Sequence, residues 1–219
     1  MRHNCPCCTC EESCVLRGGS WLDNHPAPFR AACRSGSPPD NSSNYIGFRL
    51  ARTKKKKGKS LMNMEMVTIP SGAFIYGEGE KRQTLNLPTY EIGKYPVTNA
   101  QFSEFVEATG YDAGPEWERA AEANGPDAPV VYVNWHDANA FCEWGGFRLP
   151  TEQEWEKAAR GTDGRTYPWG NEWDPDKCVC YQNSGGKPWP VGSKPAGASP
   201  YGCMDMAGQV WEWSSSLWR

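Results

Sequence analysis

Two carboxylates late in the chain, Asp205 and Glu212, have a spacing that suits a hard cation. Turn formers follow Asp205, and the residues after them have the β-branched and aromatic content of a strand. Side chains alternate along a strand, so Glu212 points away from its tryptophan neighbours and toward the turn. Two carboxylates with the turn carbonyls between them form an all-oxygen set, which suits calcium better than a transition metal. The spacing also fits a simple turn residue and a solvated strand carboxylate.

Five of the ten cysteines lie within residues 1–14, in a C-x-C-C-x-C-x3-C pattern. Zinc fingers use paired C-x2-C knuckles, whereas crowded cysteines are typical of clusters that hold soft metals such as zinc or copper. The candidate ligands are Cys5, Cys7, Cys8, Cys10 and Cys14, to which His3, Cys178 and Cys180 could add. An unstructured leader with reduced cysteines is the alternative, and in an oxidising compartment the pattern would indicate a disulfide framework.

Capping residues predict three short helices after residue 61. Thr98 caps one that runs to about residue 108, Asn134 caps a second that ends at Gly145 and Gly146, and a capping box at Thr151 opens a third. Residues 66–69 and 73–76 flank a Pro-Ser-Gly turn and predict a hairpin. Residues 169–200 show little periodicity and predict a long functional or ion-stabilised loop.

Composition and charge exclude several classes of protein. The net charge of −3 argues against general binding to nucleic acid or to an anionic membrane. No apolar run reaches the length of a membrane span, and the N-terminus does not have the pattern of a secretory signal, so a cytoplasmic location is favoured. The lysine-rich residues 53–60 repel one another and predict a linker.

Several blocks of the sequence are similar to the successive motifs of one family. They are Val-Thr-Ile-Pro-Ser-Gly-Ala-Phe (67–74), Tyr-Pro-Val-Thr-Asn-Ala-Gln-Phe (95–102), Pro-Val-Val-Tyr-Val-Asn-Trp (129–135), Arg-Leu-Pro-Thr-Glu-Gln-Glu-Trp-Glu (148–156), Tyr-Pro-Trp-Gly-Asn (167–171) and Gly-Gln-Val-Trp-Glu-Trp (208–213). These blocks resemble the formylglycine-generating, or sulfatase-modifying factor, family. The resemblance implies an α+β fold related to C-type lectins, with a small antiparallel sheet, short helices and long irregular loops.

The order of the motifs departs from that family. Arg-Gly-Gly-Ser-Trp (17–21) and Ile-Gly-Phe-Arg (46–49) resemble its last two motifs but come first here. We therefore predict a circular permutation: residues 1–14 are a Cys-rich segment, 15–52 the C-terminal part of the fold, 53–60 the linker, and 61–219 the rest. The resemblance places residues 46–51 beside 67–76 in one antiparallel sheet, so a short tether costs only loop-closure entropy. The alternative is a join of two fragments from different domains.

The resemblance also allows a test for catalysis. The family's oxidases convert a substrate cysteine with a copper-binding cysteine pair that follows the Arg-Gly-Gly-Ser motif. Here Asp23 stands where the first cysteine would be, and Cys33 lies one segment later. Because Cu(I) needs thiolates, a carboxylate cannot replace one. We therefore expect a non-catalytic module that binds a protein or small molecule, with the formylglycine-generating oxidase as the alternative and a structural permutant with a soft-metal cluster as the third.

The predicted binding surface lies on the polar loops of residues 22–45. Its candidate residues are Trp21, Asp23, Asn24, His25, Arg34, Asn41, Asn44 and Tyr45. Tyrosine with small polar residues suits adaptable recognition. This composition resembles the variable proteins of diversity-generating retroelements, although an ordinary polar loop would also explain it. The family resemblance further implies a structural calcium held by the side chains of Asp205 and Glu212 and the carbonyls of Gly208 and Val210.

Overall fold

The computed structural model describes residues 13–53 and 64–219. The predicted cluster ligands Cys5, Cys7, Cys8 and Cys10 and nearly all of the predicted linker lie outside these ranges. The strands in the described ranges are β1 (Cys14–Arg17), β2 (Arg34–Ser37), β3 (Ile46–Phe48), β4 (Ala51–Thr53), β5 (Met66–Ile69), β6 (Gly72–Tyr76), β7 (Gln83–Leu87), β8 (Tyr90–Gly93) and β9 (Trp211–Leu217). The helices there are α1 (Asn99–Thr109), α2 (Pro115–Asn124), α3 (Trp135–Gly145) and α4 (Glu152–Arg160). The mixed α+β class is confirmed.

The helices predicted from capping residues form where expected. Thr98, Asn134 and Thr151 each complete a capping box at the start of α1, α3 and α4. Gly110 and Gly146 end α1 and α3 in the left-handed conformation that glycine adopts without strain. The local signals at both ends of a helix were therefore sufficient to place these three elements.

Helix α2 was not predicted from the sequence. Pro115 occupies its first turn, where a missing amide hydrogen costs nothing, and Glu116 and Glu118 lie near the positive end of the helix dipole. The N-cap residue Gly114, which precedes the helix, provides no side-chain cap. Without a Ser, Thr, Asp or Asn cap, only the proline marked the start of this helix.

The strands in the described ranges form three small sheets. One has the order β2-β1-β9-β3, a second has the order β4-β8-β5, and β6 pairs with β7. In the first sheet β9 is antiparallel to β1 but parallel to β3. The prediction of a single antiparallel sheet was therefore wrong. A parallel neighbour is available here because β3 reaches β9 through a long connection and not through a tight turn.

Two predicted strand pairings are also wrong. Strands β5 and β6 flank the Pro-Ser-Gly turn but do not form a hairpin, because β5 pairs with β8 and β6 with β7. The expected strand over residues 46–51 is divided, so that β3 joins β9 while β4 joins the opposite edge of β8 from β5. The turn residues were identified correctly, but the partner of each strand depends on distant parts of the chain.

The largest core cluster contains residues from both described ranges. Phe48 in β3 is fully buried and packs edge-to-face against Phe102 of α1 and Phe141 of α3, at ring-centroid distances of 6.4 and 5.4 Å. Strand β4 contributes a backbone ladder to β8. Residues 13–53 and 64–219 therefore share one hydrophobic core. Within the described residues, no helix has the length and apolar character needed to cross a membrane.

Replacing Phe48 by alanine should lower the free energy of unfolding by about 3–5 kcal/mol, because the cavity would open between the two ranges. Leu22→Ala serves as the control, since Leu22 is 40% exposed and its loss should cost less than about 1 kcal/mol. Urea denaturation of both variants provides the comparison. A cost at Phe48 as small as that at Leu22 would show that residues 13–53 do not belong to the core.

Candidate functional site

Asp23 is held in a fixed position just after β1. Its Oδ2 accepts hydrogen bonds from the Ser20 amide at 2.7 Å, the Ser20 hydroxyl at 3.0 Å and the Trp211 indole at 3.1 Å. Its backbone carbonyl accepts from the Tyr181 amide at 3.1 Å. Within the described chain, all hydrogen bonds to the Asp23 carboxylate fall on Oδ2. The Oδ1 atom is therefore available to a ligand.

Asp23 lines a cleft of about 350 Å³, called here the Asp23 cleft. The lining residues are Leu16, Ser20, Leu22, Asp23, Ser35, Gly36, Ser37, Asn41, Tyr45, Ile46 and Trp211. The Asn41 amide donates to the Ser37 hydroxyl at 2.8 Å, which orders one rim of the cleft. Among the described residues that line it there is neither a thiol nor an imidazole. The cleft therefore offers one carboxylate, several neutral polar groups and apolar walls.

The eight residues predicted as one surface are divided among several places. Asp23, Asn41 and Tyr45 line the Asp23 cleft. Trp21 and Asn44 line a separate cleft of about 340 Å³ that faces α2. Arg34 lines a third cleft, of about 700 Å³, together with Cys33. Asn24 and His25 are exposed and line none of these three clefts.

The reason for this division is the role of Trp21 and Arg34 in the framework. The Trp21 ring is almost completely buried, and its indole donates to the Asn44 carbonyl at 3.1 Å. The Arg34 side chain pairs with Glu152 at 3.0 Å and lies over the Trp218 ring. The candidate residues of the predicted surface on residues 22–45 are therefore divided, and the Asp23 cleft contains only part of them.

Glu212 has a buried partner that the sequence analysis did not anticipate. Arg49 binds both of its carboxylate oxygens, with Nε to Oε2 at 2.5 Å and Nη2 to Oε1 at 2.6 Å, and the Trp155 indole donates to Oε2 at 2.8 Å. All three side chains are fully buried. Burial acts to lower the pKa of Arg49, but attraction to Glu212 outweighs it and raises this pKa above its usual value.

The two carboxylates of the predicted calcium site have different surroundings. Asp205 is buried, its Oδ2 accepts from the Gly192 amide at 2.7 Å, and burial raises its pKa to about 6. The turn that follows has positive φ at Asp205, Gly208 and Gln209. Glu212, however, is already neutralised by Arg49, so a calcium ion there would share its carboxylate with a guanidinium. Calcium stays a prediction, carried by Asp205 and the carbonyls of Gly208 and Val210.

A second buried ion-pair network lies beside the first. Arg17, in β1, binds Glu156 of α4 at 2.6 Å, and Arg160 binds the other oxygen of Glu156 at 2.8 Å. Arg17 also donates to the carbonyls of Ala31 and Cys33. Arg17 and Arg49, which belong to two of the family motifs, thus both form ion pairs with carboxylates of residues 64–219. A signal for these residues existed in the sequence, since each is a charge within a short and otherwise apolar run of residues.

Of the predicted cluster ligands, only Cys14, Cys178 and Cys180 lie among the described residues, so the soft-metal cluster stays a prediction. Cys14 is buried in β1 and contributes to the main core, while Cys33 is half-buried in the 700 Å³ cleft. Burial raises the pKa of the Cys33 thiol although Arg30 and Arg17 act to lower it. Within the described residues, no group of three or more His, Cys, Asp or Glu side chains is arranged to hold a metal ion.

Comparison with known proteins agrees with this architecture. Residues 4–54 and 53–219 each match the model of the sulfatase-modifying factor enzyme 1-like domain. The chain belongs to this family. The two matches together span nearly the whole sequence, so the family accounts for both described ranges.

Relatives in the sulfatase-modifying factor family carry names for several activities. A formylglycine-generating enzyme of Thermomonospora curvata is 36% identical, covering 70% of this chain and 71% of its own length. An inactive C-alpha-formylglycine-generating enzyme 2 of Mus musculus is 35% identical, covering 70% and 69%. A hercynine oxygenase of Mycolicibacterium smegmatis is 34% identical over 70% of this chain, which spans only 46% of that relative. The family therefore includes both active and inactive members at similar identity.

The Arg49–Glu212 pair should show strong energetic coupling. Arg49→Met and Glu212→Gln should each lower the free energy of unfolding by about 3–5 kcal/mol, because each leaves a buried partner uncompensated. The double variant should lose less free energy of unfolding than the two single variants lose together, with a coupling energy of about 2 kcal/mol or more. A double-mutant cycle by urea denaturation measures this coupling.

The exposed Arg165–Asp163 pair is the matched control. It forms a bidentate contact at 2.7 and 3.0 Å, but both side chains are partly in solvent. Arg165→Met and Asp163→Asn should give a coupling energy below about 1 kcal/mol. Equal coupling in the two cycles would contradict the importance assigned to the buried pair.

Proposed function

We propose that this chain is a non-catalytic recognition module of the sulfatase-modifying factor family that binds its ligand in the Asp23 cleft. The observation that carries the proposal is the chemistry of the lining: a fixed carboxylate, hydroxyl and amide groups, and no thiol or imidazole among the described residues. The similarity to a relative named inactive supports this reading.

The geometry of Asp23 indicates what kind of ligand the cleft would take. Ser20 and Trp211 hold Oδ2, so the carboxylate keeps its orientation before a ligand arrives. A carboxylate oriented in advance loses less free energy on binding. A ligand with an ammonium or guanidinium group would form a charge-assisted hydrogen bond to Oδ1. Leu22, Ile46 and Trp211 provide apolar contact beside it.

The oxidase is the alternative function, because relatives named formylglycine-generating enzymes match the chain equally well. Copper chemistry of that kind needs thiolates that converge beside the substrate. The half-buried thiol Cys33 lies in a different cleft from Asp23. An active oxidase would therefore require thiols from elsewhere in the chain to reach the Asp23 cleft.

Asp23→Asn should weaken binding of primary amines by about tenfold or more, since it removes the charge and keeps the shape. Titration calorimetry with a panel of alkylamines and alcohols of matched length gives the affinities. Asp40→Asn is the control, because Asp40 is an exposed carboxylate on the loop after β2 and lies outside the cleft. Equal affinity of the wild-type chain for amines and alcohols would contradict the proposed ligand class.

The same protein preparation also tests the alternative oxidase function. We expect no oxygen consumption when the chain is supplied with copper and a cysteine-containing peptide. Turnover that survives Asp23→Asn but is lost in Cys33→Ser would establish the oxidase and overturn the recognition module.

We also propose that calcium binds at Asp205 and the following turn. Calcium should raise the unfolding temperature of the wild-type chain, and Asp205→Asn should remove the effect. Asp205 is the better residue to change, since Glu212 variants also break the Arg49 pair. Differential scanning calorimetry with calcium and with a chelator decides the matter, and an unmoved wild-type melting curve would exclude the site.

The order of the two segments is best explained by circular permutation. Both segments match one family model, and the Trp218 amide donates to the Ser13 carbonyl at 2.8 Å, so these two positions are adjacent. A rearranged gene that encodes residues 64–219 before 13–53, joined by a short loop, should give the same fold. Failure of that chain to fold while the original order folds would count against permutation.

Diversification by a retroelement is a further proposal for the polar loop residues. Asn41 and Tyr45 line the Asp23 cleft, where variation would alter recognition. The neighbouring DNA decides this point: a reverse transcriptase gene with a template repeat is expected, and its absence would refute diversification.

A further inference from the structure

The third cleft, of about 700 Å³, shares no lining residue with the Asp23 cleft and has no ligand assigned to it above. Its lining comes from residues 30–34, from residues 76–83 and from α4. It is called here the Arg82 cleft, after one of its lining residues. Small ligands commonly occupy clefts of roughly 300–1,000 Å³. The Arg82 cleft is therefore large enough to hold a small molecule.

Two buried carboxylates beside this cleft are each shared by two arginines. Glu156 binds Arg17 through Oε2 at 2.6 Å and Arg160 through Oε1 at 2.8 Å. Glu152 lies 3.6 Å from Arg17 and 3.0 Å from Arg34. Three guanidinium groups therefore meet two carboxylates, and one positive charge is left without a counterion.

Arg82 adds a second unbalanced charge. Its Nη2 donates to the Gly164 carbonyl at 3.1 Å, and Nη2 of Arg160 donates to the same oxygen at 2.6 Å. Within the described residues, no carboxylate lies at ion-pair distance from Arg82. Two guanidinium groups thus approach one neutral acceptor. Because like charges this close repel, an anion beside them would be stabilised.

The other charges of the lining balance one another. Arg30 pairs with Glu78 at 3.1 Å. Glu80 and Lys81 are exposed neighbours of opposite charge. The cleft and the buried network beside it therefore hold an excess of two positive charges.

Tyr76 contributes a neutral hydrogen-bond donor to the same cleft. It is half-buried, and among the described residues its hydroxyl has no hydrogen-bond partner. Burial raises the pKa of Tyr76 to about 12, so the hydroxyl keeps its proton at neutral pH. The Gln83 amide is a second neutral donor in the lining. These groups complement the arginines, since phosphate oxygens accept hydrogen bonds from both kinds of donor.

We propose that the Arg82 cleft binds a small phosphate monoester. Such a group carries close to two negative charges at neutral pH, which matches the excess of positive charge. Arg82 and the Tyr76 hydroxyl contact the phosphate, while Arg17 and Arg160 supply charge from behind the lining. A carboxylate carries only one charge and would leave half of the excess unbalanced. The volume of the cleft leaves room for the organic part of the ester.

Titration calorimetry of the full-length chain with phenyl phosphate, phenyl sulfate and inorganic phosphate tests this site. Phenyl phosphate should bind one-to-one and about tenfold or more tighter than phenyl sulfate, which has a similar shape but one negative charge. Arg82→Gln should weaken the binding of phenyl phosphate by about tenfold or more, because it removes a charged donor. Tyr76→Phe should weaken it by about threefold or more, because it removes only the hydroxyl.

Arg119→Gln is the matched control, because Arg119 is an exposed arginine that lines the 340 Å³ cleft and not the Arg82 cleft. It removes the same charge and should leave the affinity for phenyl phosphate unchanged. Arg82→Lys keeps the charge and should retain more affinity than Arg82→Gln.

Circular dichroism shows whether each variant is folded, and the comparison of the three probes on the wild-type chain does not depend on any variant. Equal loss of affinity in Arg82→Gln and Arg119→Gln would overturn the site. Equal affinity of the wild-type chain for phenyl sulfate and phenyl phosphate would overturn the charge argument, and equal affinity for inorganic phosphate would overturn the assignment to an ester.

Discussion

The fold depends on buried arginines from one segment meeting buried carboxylates from the other. Arg49 forms an ion pair with Glu212, and Arg17 forms one with Glu156. An uncompensated charge in the interior costs several kcal/mol, so neither segment can bury these residues alone. This requirement makes folding of residues 13–53 conditional on their contact with residues 64–219.

The Asp23 cleft is built directly on this arrangement. Trp211, which holds the Asp23 carboxylate, precedes Glu212 in β9, and Ser20 follows the strand that carries Arg17. The paired charges therefore fix the register of β1 and β9 from which the cleft residues extend. Because side chains alternate along β9, one face contributes Trp211 to the cleft while the other contributes Glu212 to the ion pair. The cleft and the buried ion pair thus use opposite faces of one strand.

Local signals in the sequence predicted local structure well. The caps at Thr98, Asn134 and Thr151 located three helices, because a cap acts within one turn of the chain. The partners of β5 and β6 were not predictable in this way, since strand pairing depends on residues far away in sequence. The motif resemblance identified the family because it compares ordered blocks and not single elements.

The candidate site was predictable only in part for the same reason. Asp23 was identified from its place after the Arg-Gly-Gly-Ser motif, but the separation of Trp21, Arg34 and Asp23 into different clefts follows from tertiary packing. The Arg49 partner of Glu212 lies 163 residues away along the chain, so spacing around Glu212 indicated a free carboxylate where the fold provides an ion pair.

Native-state hydrogen exchange tests the shared fold most directly. The amides of Trp211, Val97 and Gly93 donate across the boundary to the carbonyls of Tyr45, Phe48 and Leu50. If the two segments form one cooperative unit, these amides and those within β1 exchange only through global unfolding, with the same opening free energy as amides in α3. The result that would contradict a single cooperative unit is an opening free energy, for the boundary amides or for β1, that is lower than that of α3 by more than about 2 kcal/mol.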